Sequence, residues 1–388
     1  MHARRNRVET IQRVLWRTTA PAVTRVLLVG AAFVGLATGA WAKGAAEVRV
    51  LLLESREPVE IRSSSAAHRV GLAPKTREKT RELIVDGRPV GPVWRAGGEG
   101  PWRVGPRHYR GRLELQARLG QILVVNHVEL EDYVVATVGG EMPVSWPGQA
   151  LRAQAVATRT YALYQRDRRR DQPWDVQATE LSQVYHGIES ESASTRHAAA
   201  ATRGEILTHA GRPILAAFHS TSGGRTASAS EVWGRSLPYL HSLDVEFEEE
   251  APFTYWRTVF PPETLNGVLA SLGTDLGPVD RLEVHSRTES GRVERIVAGG
   301  RSRRVVLGGD QLRTLVETLG LRSRLFDIRS TPQGFAFVGS GFGHGVGMSQ
   351  WGARELARRG ASYQRILARF YPGAVSYTHL TLPTNREV

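Results

Sequence analysis

One carboxylate in this 388-residue chain is framed more tightly than any other. Glu141 lies in VGGEMPVSWPGQALRAQAVATRTYALY (residues 138 to 164), with Gly139 and Gly140 before it and Pro143 after it. A carboxylic acid fixed in this way suits general acid work on a leaving oxygen, and partial burial would raise its pKa toward that role. Glycosidic cleavage ordinarily uses two carboxylates, an acid and a base or nucleophile. No second one is specified here: Asp175, Glu180, Glu189 and Glu231 qualify by composition alone. Intramolecular attack by a sugar hydroxyl needs a single acid, which protonates the leaving oxygen while a base takes the hydroxyl proton. The residues permit that chemistry without demanding it.

Two glycine-bearing loops are the other candidates. His219 to Thr226 (HSTSGGRT) follows a strand pattern and offers hydroxyls and backbone to a substrate, or else is a tight turn that needs glycine. Gly339 to Ala353 (GSGFGHGVGMSQWGA) places five glycines at alternating positions around His344. Such a run cannot pack as a helix, and it presents His344 at a surface or cleft. Its spacing does not match a dinucleotide fingerprint.

These residues need elements to hold them. Val48–Leu53, Val59–Ile61, Glu82–Val85, Trp94–Arg95, Tyr109–Leu115 and Ile122–Val125 read as strands of small antiparallel β structure over residues 45 to 126. Val128–Val138 reads as a short amphipathic helix ended by Gly139 and Gly140. A long Ala-rich helix follows to about Asp167, with Ser145 or Trp146 at its cap and Pro147 at its first position. Its apolar stripe carries Leu151, Ala155, Thr158 and Ala162. A second Ala-rich helix covers Ser190–Thr202, and Glu205–Thr208 with Ile214–Phe218 reads as a hairpin. Residues 244 to 315 begin with the acidic run DVEFEEE and read as mixed α and β without a convergent polar set. Ile328–Phe337 returns as one strand, and helices follow at Gln350–Arg359 and Tyr363–Phe370. The fold class is α+β: small antiparallel β structure, a long Ala-rich helix beside Glu141, and an inserted α/β subdomain.

The absence of cysteine rules out disulfides, a thiol nucleophile and a thiolate metal site. The formal net charge is +13, part of it in the arginines of residues 1 to 42. No recognition motif for nucleic acid accompanies that charge. An anionic membrane surface or an acidic cell-wall polymer fits it, as does an Arg-rich compositional habit. A basic segment precedes the apolar run Val26–Trp41, and Ala40 and Ala42 match a small-x-small cleavage site. Residues 1–42 are therefore expected to be a signal peptide or an uncleaved N-terminal membrane anchor, with the body outside the cytoplasm. Residues 376–388 (SYTHLTLPTNREV) resemble a translated sequencing adaptor and are set aside as a non-native tail.

Taken together, LEDYVVATVGGEMPVSWPGQALRAQAVATRTYAL, SQVYHG at 182 to 187, FHSTSGGRT at 218 to 226, HGVGMSQWGA at 344 to 353 and FYPG at 370 to 373 resemble the signature blocks of the SpoIID/LytB family. On that resemblance the core runs over 45–243 and closes over 328–375, with 244–327 as the insert. The resemblance implies a lytic transglycosylase acting on peptidoglycan glycan strands, preferably peptide-free. It would cleave between N-acetylmuramic acid and N-acetylglucosamine to leave 1,6-anhydromuramyl ends, with Glu141 of Gly140-Glu141-Met142-Pro143 as the catalytic acid. Other family members are amidase enhancers, so a non-catalytic activator of a cell-wall amidase is the rival, and a structural morphogenesis protein is a third reading. Arg159 and Tyr161 are assigned to sugar binding or support of Glu141. His219 and His344 are assigned to the cleft, against a structural role, and Ser220, Ser222, Ser349 and Gln350 from the same loops to substrate contact. Some relatives bind zinc through Cys and His leading into the SQVY block. DVQATELSQVY here has neither, so no metal and no cofactor is expected.

Overall fold

The computed structural model of the chain describes residues 46–378, except 74–81, 98–99, 181 and 302. The expected export segment over 1–42 and residues 379–388 lie outside the described residues. Among the described residues no helix is long and apolar enough to cross a membrane.

The first part is antiparallel β structure. Glu47–Ser55 pairs with Gln121–Glu129, which pairs with Arg112–Arg118. Val93–Arg95 and the parallel strand Val176–Gln177 complete a five-stranded sheet. A second sheet of six short strands lies within residues 59–109. In Val59–Arg62 buried and exposed residues alternate as a half-buried strand requires. Ile61, Val70, Leu83 and Trp102 from this sheet share one core with Leu113, Leu115, Ile122 and Val124 from the other. Ala67–Leu72, Arg88–Gly91 and Trp102–Val104 are strands that the pattern did not mark. Tyr109–Leu115 is broken at Arg110 and Gly111, where Gly111 takes a φ of 76°.

Helix α1 is Leu130–Glu141 and α2 is Gly148–Arg168. Both depart from the expected form. The glycine pair does not end α1, which runs through it and finishes on Glu141, and Tyr133 to Val138 are all buried rather than amphipathic. Pro147 is the cap of α2 and Gly148 its first residue, because ψ of Pro147 is an extended 135°. From Ala150 to Leu163 nearly every α2 side chain is buried, most of them small. Helices pack around it on several sides: α1, α3 (Ala193–Ala201), and beyond the short α4 (Ala229–Trp233), two C-terminal helices. A helix buried all round reads without a single apolar stripe.

A second core gathers Leu265 and Leu269 of α5 (Pro262–Ser271) and Leu312 and Leu315 of α6 (Gly309–Thr318) with Ile296, Phe326 and Phe337. Its strands are Val279–Arg287, Val293–Gly300 and Arg304–Gly308 in one sheet, and Trp256–Phe260, Gly334–Gly339 and Phe326–Thr331 in another. The strand expected over 328–337 is thus a hairpin turned at Pro332 and Gln333. It sits in the second core rather than closing the first. The chain ends its described part with α7 (Gln350–Arg358), α8 (Tyr363–Phe370) and the strand Val375–Thr378. That strand pairs with Glu205–His209, so residues 376–378, set aside with the tail, complete a sheet. An edge strand needs backbone partners more than side-chain pattern, and VSYT is too short to show one. The architecture is mixed α+β.

Candidate active site

Glu141 is placed by the last turn of α1. A Cβ on Gly139 would stand 1.9 Å from the Ser190 carbonyl oxygen, and one on Gly140 2.3 Å from that of Val184. The glycine pair therefore lets the 184–190 segment lie directly on the helix. This contact delivers the Val184 N–H to Glu141 Oε1 at 2.6 Å. The other oxygen accepts from Gln350 Nε2 at 3.3 Å. Removal from water raises the Glu141 pKa from 4.5 to about 7; the two hydrogen bonds lower it in part and Glu180 raises it further. Its carboxyl is partly covered and opens onto a pocket of about 630 Å³.

Three remote segments complete that pocket. Phe218–His219 pairs in parallel with Met348–Ser349, and Thr221 and Phe342 exchange backbone hydrogen bonds at 3.1 and 2.8 Å. The hairpin expected over 205–218 is correspondingly short: its return strand is only Arg212–Pro213, and Phe218 pairs with the later loop. Among the sequence-assigned residues, Tyr161, His219, Ser220, His344 and Gln350 line the pocket together with Glu141. Gln165, Trp233 and Glu180 line it as well. Glu180 is a second carboxylate on the same wall, which composition alone could only propose.

Three assigned residues stand elsewhere. Arg159 is fully buried; its Nε and Nη2 hold Glu131 at 2.8 and 2.7 Å and its Nη1 donates to the Glu205 carbonyl. It braces α2 against α1 and does not line the pocket. Ser222 is buried and donates to Glu248 Oε2 at 2.6 Å. Ser349 is buried too; its Oγ caps α7 by accepting from Gly352 N–H at 3.1 Å and bonds Glu248. Charge and hydroxyls in sequence suggest ligand contact, but here they bond the protein's own carboxylates and backbone.

Both assigned histidines are held toward the neutral form. His219 Nδ1 donates to the Val346 carbonyl at 3.1 Å, leaving Nε2 buried without a partner. Burial, then His344 and Arg292, holds its pKa well below the usual range. His344 is exposed and lines the pocket. Its desolvation and the Arg292 guanidinium lower its pKa to about 4. Its Nδ1 accepts from Val346 N–H at 3.0 Å and its ring lies 5.3 Å from Trp233. Gly345, at φ 81°, leaves room for Arg292, whose Nη2 would be 2.1 Å from a Cβ there. The stretch leading into Gln183 holds no Cys or His, and among the described residues no cluster could hold a metal ion.

With this geometry, the comparisons with known proteins agree on one class. A family model described as Stage II sporulation protein matches residues 118–209, and one described as a domain of unknown function (DUF8618) matches 228–347. The chain is 33% identical to Stage II sporulation protein D of Bacillus amyloliquefaciens, over 64% of this chain and 74% of the relative. It is 31% identical to the Bacillus subtilis protein of the same name, over the same shares. It is 28% identical to the amidase enhancer of Bacillus subtilis, over 61% of this chain and 39% of that one. The chain belongs to the SpoIID/LytB family.

Proposed function

We propose that the chain is a cell-wall enzyme, a lytic transglycosylase that cleaves between N-acetylmuramic acid and N-acetylglucosamine in peptidoglycan, with Glu141 as the acid. The observation that carries this reading is a carboxyl with a pKa near 7, held by two hydrogen bonds and open to a pocket. At neutral pH about half of such a group is protonated, which suits both halves of the reaction. Glu141 gives its proton to the bridging oxygen as the bond from that oxygen to the muramyl C1 breaks, and the bonding pair stays on the oxygen. The muramyl C6 hydroxyl oxygen bonds to C1, and its proton passes to the Glu141 carboxylate. The acid is regenerated, no water is consumed, and a 1,6-anhydro ring is left.

The arrangement of basic and apolar residues over 1–42 supports export, with action at the outer face of the cytoplasmic membrane, in the periplasm or in the wall. The similarity to an amidase enhancer favours a second reading, in which the protein activates a cell-wall amidase and cuts no glycan. Purified protein and its Glu141→Gln variant, incubated with peptide-free glycan strands and analysed by mass spectrometry, separate the readings. Anhydromuramyl products from wild type alone are expected. Reducing ends instead would mean hydrolysis, with Glu180 the carboxylate to test as its base, and no glycan product with or without an amidase would overturn the enzyme.

A further inference from the structure

The acidic run over 244–250 hides one residue unlike its neighbours. Glu246, Glu249 and Glu250 are exposed, whereas Glu248 is 4% exposed. Phe247, at φ 69°, makes the turn that points it inward. Five donors converge on its carboxylate. Oε1 accepts from Ser222 N–H at 3.0 Å and from Ser349 Oγ. Oε2 accepts from Ser222 Oγ at 2.6 Å and from the N–H groups of Gly223 and Gly224 at 3.0 and 3.3 Å. One side chain thus ties the loop that carries His219 and Ser220 to the residue that caps α7.

We propose that Glu248 is a positioning residue for Glu141, acting through Ser349 and Gln350. Ser349 is the N-cap of α7 and Gln350 is its first residue, so the cap sets where the Gln350 amide points. That amide is the hydrogen bond from the far loop to the Glu141 carboxylate. A second tie, from Trp351 N–H to the Ser220 carbonyl at 3.1 Å, holds the same turn against the 219–226 loop. Arg292 braces that loop from the second core, donating to the carbonyls of Ser222 and Arg225 at 2.9 and 3.0 Å. Removing the Glu248 carboxylate would leave buried donors unpaired on both loops, and the Ser349 turn would rotate to find them other partners. Gln350 then leaves Glu141, and the ionised acid loses a hydrogen bond that favours it. The segment matched by a family of unknown function so acquires a role: it supplies the lock that keeps the acid in tune.

The other ionisable groups around Glu141 are Glu180 on the 178–184 segment, Tyr133 on α1 and Tyr161 on α2, with the neutral His219 and His344 across the pocket. Of these only His219 and His344 sit on loops that Glu248 ties, and neither is among the groups that shift Glu141, whereas Gln350 is, so a change in Glu141 caused by Glu248 runs through Gln350. The kinetic consequence rests on the proposed function; the titration does not.

The test is a carbon-13 titration of the Glu141 carboxyl, assigned by its absence in Glu141→Gln, in wild type, Glu248→Gln and Ser349→Ala. The midpoint is expected to move upward in both variants, further in Glu248→Gln. Turnover on glycan strands should fall on the order of 10²-fold with KM little changed, since misplacement of a reacting group costs about that much. A folded Glu248→Gln with the wild-type midpoint overturns the proposal. Where Glu248→Gln fails to fold, an unmoved midpoint in Ser349→Ala overturns it instead. A shifted midpoint in a protein that cuts no glycan supports the positioning role and rejects the enzyme.

Discussion

Two kinds of carboxylate site stand side by side in this molecule. At the end of α1, Glu141 has two donors and an open face. In the loops of the pocket Glu248 has five donors and no opening, and in the first turn of α1 Glu131 is held by Nε and Nη2 of the buried Arg159. Glu141 is costly to ionise because its environment removes water without replacing all of its hydrogen bonds. Glu248 and Glu131 organise loops and helices instead. Burial alone therefore does not mark a catalytic acid; incomplete compensation beside a cavity does.

The largest effect should come from the open site. Glu141→Gln keeps the size and one acceptor but cannot give up a proton, so activity on glycan strands should drop by about 10² to 10⁴-fold. A loss under tenfold would remove Glu141 from the chemistry. In the closed sites the damage should be to folding. Arg159→Ala leaves Glu131 with only the Gly204 N–H and takes a donor from the Glu205 carbonyl, and should cost about 3–5 kcal/mol in denaturant unfolding. A neutral result would mean that Arg159 is not the brace described.

The open site also predicts the opposite sign for stability at high pH. The folded pKa of Glu141, about 7, is above its unfolded value of 4.5. The native state therefore binds a proton more tightly, and the stability associated with it is present below 4.5 and lost as pH rises through 7. Gln has no proton to lose. Glu141→Gln should match wild type near pH 4 and exceed it at pH 8, by at most about 3 kcal/mol, because each tenfold difference in proton affinity is worth roughly 1.4 kcal/mol. Urea unfolding at the two pH values measures this difference; equal stability at pH 8 would mean that the carboxyl is better solvated than its surroundings indicate.

What could be read from the chain follows the same division. Glu141 stood out because its frame is local: two glycines, a proline and a following helix lie within a few residues. The loop at 339 to 353 stood out because alternating glycines exclude a helix. Both signals depend only on neighbours in sequence. Arg159, Ser222 and Ser349 were assigned to substrate because charge and hydroxyls are visible in sequence while their buried partners, 26 to 129 residues away, are not. Glu248 was hidden among exposed acids of the same type. The glycine pair reads in sequence as a helix stop and is instead a close contact, since approach by the 184–190 segment leaves no trace in the residues beside it.

Glu180 gives the smallest expected effect and the finest discrimination. It lines the pocket with Glu141 but is exposed, and it is the least of the influences on the Glu141 carboxyl. Water and salt screen a charge in that position, so its Coulomb effect should be weak. If it only biases its neighbour, Glu180→Gln should lower the alkaline limb of the pH–rate profile slightly, because a negative charge that opposed ionisation is gone. Turnover below that limb should fall by less than about tenfold, and the limb should move less at high ionic strength. A base for water or for the C6 hydroxyl would behave differently: its loss would remove about 10² or more from turnover at every pH, with little salt dependence. The first outcome leaves Glu141 as the single acid of an intramolecular displacement, and the second makes the open site a two-carboxylate site.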